Sequence, residues 1–293
     1  MIPRITGQML LNTAQHNLQS SMGTLARLQS QAGTQKLISR PSDDPAGTAE
    51  SMQIRAGQRA LAQYGTNIDD GLNWLSAADS ALSNATDILQ KVRDLVVQGS
   101  NGALSASARE AIATQLDNLK PALLSAANSQ YRGRPVFAGN TDAGVAFNPD
   151  MSYNGAPGST VQRRVSPSAT VRVDVDGVSA FGAGATSAFA LIDTISAGLR
   201  AGTDVSTQLT NIDGRLSSIL GEQAKVGTRY TQLETGKELN MEQSGSLESQ
   251  RANVEDVDLG KVILQLKSQE IAYQTALSVT SRALQPTLMS FLS

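Results

Sequence analysis

Hydrophobic and polar positions follow two rhythms along this chain, a helical one over most of its length and a two-residue alternation in one short central stretch. Near the N-terminus, Leu11, Ala14, Leu18, Ser21, Leu25, Leu28 and Ala32 are spaced by alternating threes and fours. That spacing lines one stripe of a helix for packing lengthwise against a partner helix. Towards the C-terminus, Leu259, Ile263, Leu266, Glu270, Tyr273, Leu277, Thr280 and Leu284 are spaced in the same way. Each stretch predicts a helix roughly 45–50 Å long, so the two can lie side by side. Polar and small residues interrupt both seams, and a lone amphipathic helix is marginal in water. The pattern therefore predicts ends that are poorly ordered in the monomer and fold together when neighbouring copies cover them. The alternative is a plain two-helix coiled coil within a stable monomer.

Between the seams the pattern predicts a helix over roughly 46–98, with Ile68, Leu72, Leu75, Leu82, Leu89 and Val96 along one face. Gly99-Ser100-Asn101-Gly102 breaks it. Ser107 and Glu110 have the spacing of a capping box, in which each side chain satisfies a backbone N–H at a helix start, and the next helix is expected to reach about Gln130. The two form a helical hairpin. The middle then changes character. No lysine or glutamate lies between Lys120 and Glu222, while Pro135, Pro149, Pro157 and Pro167 fall there with Phe137, Phe147, Tyr153 and Phe181. Val171-Arg172-Val173-Asp174-Val175 alternates with period two and meets Asp176-Gly177, a strand and a turn. Helix resumes near Ser187, and a long one is expected from about Asp204 to Arg251. Glu255, Asp256 and Asp258 fall where the last helix should begin, which suits its dipole.

The layout is nested, so the two ends run antiparallel. The expected fold is mainly α with a small β-rich insert: an elongated helical bundle whose terminal helices form an antiparallel coiled coil. Three regions are expected: 1–44 with 254–293 as a terminal helical domain, 45–133 with 186–253 as a helical bundle, and 134–185 as a small β-rich domain.

Composition narrows the function. The 293 residues carry a formal charge of −2, and nucleic-acid binders usually carry a strongly basic face. Arg4, Arg27, Lys36 and Arg40 stand without an acid in the first forty residues, too dilute for a nucleic-acid arm. There is no cysteine, which excludes disulfides, thiolate metal sites and cysteine nucleophiles. No basic segment followed by an apolar run suggests a conventional signal peptide, and no run approaches the roughly 18 apolar residues of a membrane span. Neither nucleic acid nor membrane is an expected partner. His16 is the only histidine and falls on the outward side of its seam. Trp74, beside Leu75, reads as core or subunit contact. No catalytic constellation, cofactor or metal is expected.

The stretch Ile38-Ser39-Arg40-Pro41-Ser42-Asp43-Asp44-Pro45-Ala46-Gly47 reads as a joint between helices, with Arg40 to Pro45 as the interdomain joint between the terminal domain and the helical bundle. Arg40 precedes a proline and is pushed towards extended geometry, ending the first helix. Asp44 suits the N-cap and Pro45 the first helical position, where its missing N–H costs nothing. Asp43 and Asp44 also lie near the positive end of the new helix. Arg40 can pair with one of them, an exposed pair worth about 0–1 kcal/mol.

From Lys36 to Gly47 the chain closely resembles the signature of bacterial flagellins and their junction relatives. The C-terminal stretch from Asn253 through Ser281-Arg282-Ala283-Leu284 to Ser290-Phe291-Leu292 is similar to that family's last helix. The stretch from Tyr131 to Thr141, with Gly133 and Phe137-Ala138-Gly139, resembles the entry into the β domain of the family's hook–filament junction branch rather than of flagellin itself. Met1-Ile2-Pro3-Arg4 departs from the usual start. The resemblance implies a non-enzymatic axial protein of the flagellum, exported unfolded and without a cleaved signal peptide. Flagellin itself is the alternative. The partners implied are further copies in a ring, a hook-side junction protein, flagellin, and a cytoplasmic export chaperone at the C-terminal helix.

Overall fold

Two long stripes of large aliphatic residues, both repeating every seven positions, organise the centre of the chain. The computed structural model describes the backbone of residues 2–156 and 158–292, and side-chain surroundings for residues 9, 12–156 and 158–281. Among these the helices are α1 (Ile2–Thr34), α2 (Pro45–Gly99), α3 (Ala106–Ala127), α4 (Gly177–Phe181), α5 (Ala188–Ala201), α6 (Gln208–Glu255) and α7 (Leu259–Leu292). Two antiparallel strand pairs, β1 (Gln130–Tyr131) with β2 (Arg134–Pro135) and β3 (Gln162–Arg164) with β4 (Thr170–Arg172), lie between α3 and α4. The chain divides into two compact units, residues 1–59 with 244–293, and residues 60–243.

In the unit of residues 60–243, α2 buries Ile68, Leu75, Leu82, Leu89 and Val96, and α6 buries Ile212, Ile219, Val226 and Leu233. The seven-residue repeat keeps each set on one stripe of its helix. α3 adds Ile112, Leu116 and Leu123, and α5 adds Phe189, Ile192 and Ile195. Trp74 is buried against this core, edge-on to Tyr131. The central segment shares it: Phe137, Phe147 and Phe181 join Phe189 in edge-to-face contacts with centroids 5.2–5.8 Å apart. These aromatics bury the most apolar area in a protein otherwise poor in rings.

Several boundaries differ from the sequence expectation. The cap of α3 is Ser105, which accepts from the Ala108 N–H, because Glu110 turns to Arg200 instead of back to Ser107. α3 stops at Ala127 because Asn128 leaves the helix: its side-chain oxygen accepts from the N–H groups of Ala146 and Phe147. The alternation at 171–175 yields only a three-residue strand. The Asp174 carboxylate is buried and taken by the Val161 N–H and the Arg172 guanidinium, which ends the ladder. Asp176-Gly177 is a helix start: Asp176 caps α4 through the N–H groups of Val178 and Ser179. α6 runs unbroken through its glycines and extends to Glu255.

In the unit of residues 1–59 and 244–293, α1 and α7 lie antiparallel, with the Gln269 side chain donating to Ser21 Oγ at 2.8 Å. α1 closes at Thr34, short of Arg40. Gln35 turns left-handed (φ 58°) while its N–H still reaches the Gln31 carbonyl. Lys36 then forms an antiparallel bridge with Asp256, so the chain has already left the helix before the proline can end it.

Candidate functional site

The end of α6 carries a charged side chain that is almost completely buried. Glu255, 3% exposed, receives Arg55 in a two-pronged pair: Nε donates to Oε1 at 2.7 Å and Nη2 to Oε2 at 2.6 Å. Ser51, one helical turn before Arg55 on α2, donates its hydroxyl to the same carboxylate. Lys36 approaches Oε2 at 3.4 Å and Arg251 at 3.3 Å. The hydrogen bonds from Arg55 hold the Glu255 carboxyl far below the usual carboxylate range, against the opposing push of burial. Arg251 also grips Glu248 and Asp256, and these bonds raise its own pKa.

The backbone closes around this carboxylate. The Leu37 N–H donates to the Glu255 carbonyl at 2.7 Å, the Val257 N–H to the Gln35 carbonyl at 3.2 Å, and the buried Gln31 amide to the Leu37 carbonyl at 2.9 Å. One side chain thus ties together the segment after α1, the start of α2 and the end of α6. Bidentate bonds to a buried carboxylate are among the stronger polar contacts. Half-exposed Arg55 moderates this one, so its net worth is about 1–3 kcal/mol. The sequence assigns Glu255 to the dipole of the last helix; that position belongs instead to Asp258, whose carboxylate accepts from the Lys261 N–H.

The Ile38–Gly47 stretch lies in the same unit. Asp44 Oδ1 accepts from the Gly47 N–H at 2.9 Å, the N-cap bond, and Pro45 is the first residue of α2. Asp43 Oδ2 accepts from the backbone N–H groups of Ser39 and Arg40 at 3.2 and 2.9 Å. Arg40 therefore meets Asp43 through its backbone, and its guanidinium makes no ion pair among the described residues. Residues 39–46 are exposed and Gly47 is buried. A Cβ at Gly47 would lie 2.6 Å from the Asp44 carboxylate and 2.7 Å from Ile38 Cδ1, so any larger residue must displace one of these side chains.

The two seams fare differently. On α1, Leu28 is buried while Leu18 and Leu25 are half-buried, with Leu11 outside the described side chains. On α7, Leu266 and Tyr273 are half-buried, but Leu259, Ile263 and Leu277 are exposed at 38%, 50% and 43%. Leu284 lies outside the described side chains. The side chains of α7 that are withdrawn from solvent include Val262, Leu266, Gln269, Tyr273, Ala276 and Thr280. The Gln269–Ser21 bond and small Ala276 favour that neighbouring stripe, which leaves the bulkier residues outside. Ile271 and Val279 are also exposed.

In the other unit, Phe137-Ala138-Gly139 anchors the central segment. Phe137 is buried, and its carbonyl accepts from the Tyr153 hydroxyl and the Gly177 N–H at 2.9 and 3.0 Å. Burial pushes the Tyr153 phenol up to about 12. Gly139 has φ 63°, and a Cβ there would lie 2.7 Å from the Ser159 carbonyl. This is a packing motif without reactive geometry. His16 is exposed. Among the described residues no group of three or more His, Asp or Glu side chains is placed to hold a metal, and no helix is long and apolar enough to cross a membrane.

Comparison with known proteins agrees with the helical ends. The model of the bacterial flagellin N-terminal helical region matches residues 5–142, and that of the bacterial flagellin C-terminal helical region matches residues 209–292. The flagellar hook-associated protein 3 of Salmonella typhimurium is 26% identical over 300 residues, covering 93% of this chain and 94% of that protein. A flagellin of Listeria monocytogenes is also 26% identical, over 281 residues, covering 92% of each. The solved structure of the flagellar hook-associated protein-3 of Legionella pneumophila superposes with a TM-score of 0.61 at 16% identity, over 69% of this chain and 98% of that one, a likeness of fold.

Proposed function

The chain belongs to the bacterial flagellin family, and from that premise we propose that it is the family's hook–filament junction protein, a structural subunit that assembles at the hook tip and joins hook to filament. The observation that carries this reading is the end-to-end similarity to a hook-associated protein 3, spanning almost all of both chains. The Phe137-Ala138-Gly139 entry motif, held by burial and a left-handed glycine, supports it. The role is mechanical and non-catalytic. Further copies in a ring, a hook-side junction protein and flagellin are the partners. A cytoplasmic chaperone holds α7 before export.

Assembly uses what the monomer leaves open. Leu259, Ile263, Leu277 and the nearby Ile271 and Val279 expose apolar surface on α7, and neighbouring copies cover it at roughly 25 cal/mol per Å². The Arg40–Pro45 joint and the Glu255 clamp fix how the chain enters α2. The similarity to a flagellin over most of both chains favours a second reading, the filament subunit itself. Immuno-electron microscopy decides between them. A single labelled band at the hook tip is expected, whereas label along the filament would replace the junction reading with flagellin. Deleting the gene should leave hooks without filaments while flagellin accumulates in the medium.

A further inference from the structure

A polar cavity of about 250 Å³ lies between α1 and the Ile38–Gly47 stretch, framed by Arg27 and Arg40 with Ser30 and Ser39 on its walls. Neither guanidinium has an ion-pair partner among the described residues. Asp43, which also lines the cavity, accepts backbone N–H bonds from Ser39 and Arg40. Lys36, the other described cation of the first forty residues, is engaged by Glu255. Two forked cations facing one polar hollow have the geometry to take a carboxylate.

The complementary feature is on α6. Glu234, Glu238 and Glu242 are exposed and follow one another at intervals of four, so their carboxylates line one stripe of the helix. Such like-charge neighbours disfavour a helix unless a cation relieves them. Lys237 lies among them, but its ammonium is bonded to Asp69 at 2.8 Å. No ion pair to any of the three exists among the described residues.

We propose that the Arg27–Arg40 cavity of one copy receives the Glu238 carboxylate of a second copy, with Glu234 and Glu242 flanking it. Cavity and stripe are different surfaces of the same chain, so the contact is head-to-tail and repeats from copy to copy, as a ring or helix requires. The inference rests on the self-assembly reading and deepens it by naming a pair of matching surfaces.

The natural chain has no cysteine, so introduced pairs report without background. Flagella from cells carrying Ser30→Cys together with Glu238→Cys are oxidised, or bridged with a short bis-maleimide, and run under denaturing conditions. A ladder of multimers of this chain is expected, and each single variant should stop at or below a dimer. Monomer alone, or an internal cross-link, would overturn the proposal provided the protein is present at the hook tip by immuno-electron microscopy; its absence there from unmodified cells would instead overturn the assembly reading. In a second arm, Arg27→Glu with Arg40→Glu, and separately Glu238→Arg, should each lower the fraction of cells bearing filaments by about tenfold. Combining Glu238→Arg with the two arginine reversals should restore most of that loss. If the combined variant is no better than either parent, the pairing is wrong, and a loss from the arginine reversals alone would point to an acidic segment of another protein.

Discussion

The unit of residues 60–243 and the pair of end helices use the same three-and-four spacing of apolar positions, but they bury it to different depths. In the first, Ile68, Leu75, Leu82, Leu89, Ile212, Ile219 and Leu233 are wholly enclosed, and four phenylalanines close the core. In the second, Leu28 and Val262 are buried while Ile263, Leu264, Ile271 and Val279 remain open to water. The first unit completes its core with its own insert. Among the described residues the second leaves these apolar side chains uncovered, so their surface is available to another chain. Its specificity within the monomer comes from polar contacts, above all those of Glu255.

The largest effect expected from this contrast is in the core. Phe147→Ala should cost about 3–5 kcal/mol, read as a lower urea midpoint by Trp74 fluorescence, since the only tryptophan lies in that unit. Leu266→Ala in the end pair should cost about 1 kcal/mol or less, because that site is already half-open. Equal losses would erase the distinction.

Glu255→Gln comes next, at about 1–3 kcal/mol confined to the end unit. Hydrogen exchange should show faster exchange at the Leu37 and Val257 amides with Trp74 unfolding unchanged; unaltered protection at those amides would remove the clamp from the account. The same group sets a pH dependence. Its folded pKa is depressed, so its contribution is fully present above the ordinary carboxylate value of about 4.3 and is lost as pH falls below that towards the folded value. Protection of those amides should therefore decline on acidification in the natural chain, and the Gln variant should lack this component.

Gln35→Gly is expected to stabilise the end unit by about 0.5–1 kcal/mol, since it relieves a left-handed non-glycine residue. Slower exchange at Leu37 would bear this out, whereas faster exchange would mean that the Gln35 side chain has a role of its own. Smallest of all, Ile263→Ser should change monomer stability by no more than about 0.5 kcal/mol yet reduce the number of filaments. A variant with full filaments would show that this residue is not covered on assembly.

The helical frame was legible because its signals are local. The α1 stripe, the Asp44–Pro45 start of α2 and the resumption of helix near Ser187 each depend on residues within about two turns. The α7 stripe was harder, since two adjacent stripes share Leu266, Tyr273 and Thr280. Residue size favoured the one with Leu259 and Ile263, while the Gln269–Ser21 bond selects the other. Glu255 was missed because its decisive partners are remote in sequence. The Ser51–Arg55 spacing on α2 and the Arg251–Glu255 spacing on α6 are the only local hints of it. The central segment was read as more sheet than it is, because Asn128, Tyr153 and Asp174 hold its backbone through side-chain bonds that alternation does not record.

The reach of the Glu255 contacts has a consequence in time. Ser51, Arg55 and Lys36 lie 204, 200 and 219 residues away along the chain. Bringing such distant residues together carries a loop-closure entropy that intervening structure must first reduce. α2 and α6 therefore have to meet before the carboxylate finds its cations. A chain emerging from one end first, in either direction, has its first and last fifths unjoined until nearly all of it is out. In either direction the clamp forms late, once Glu255 and its sequence-remote partners are all out.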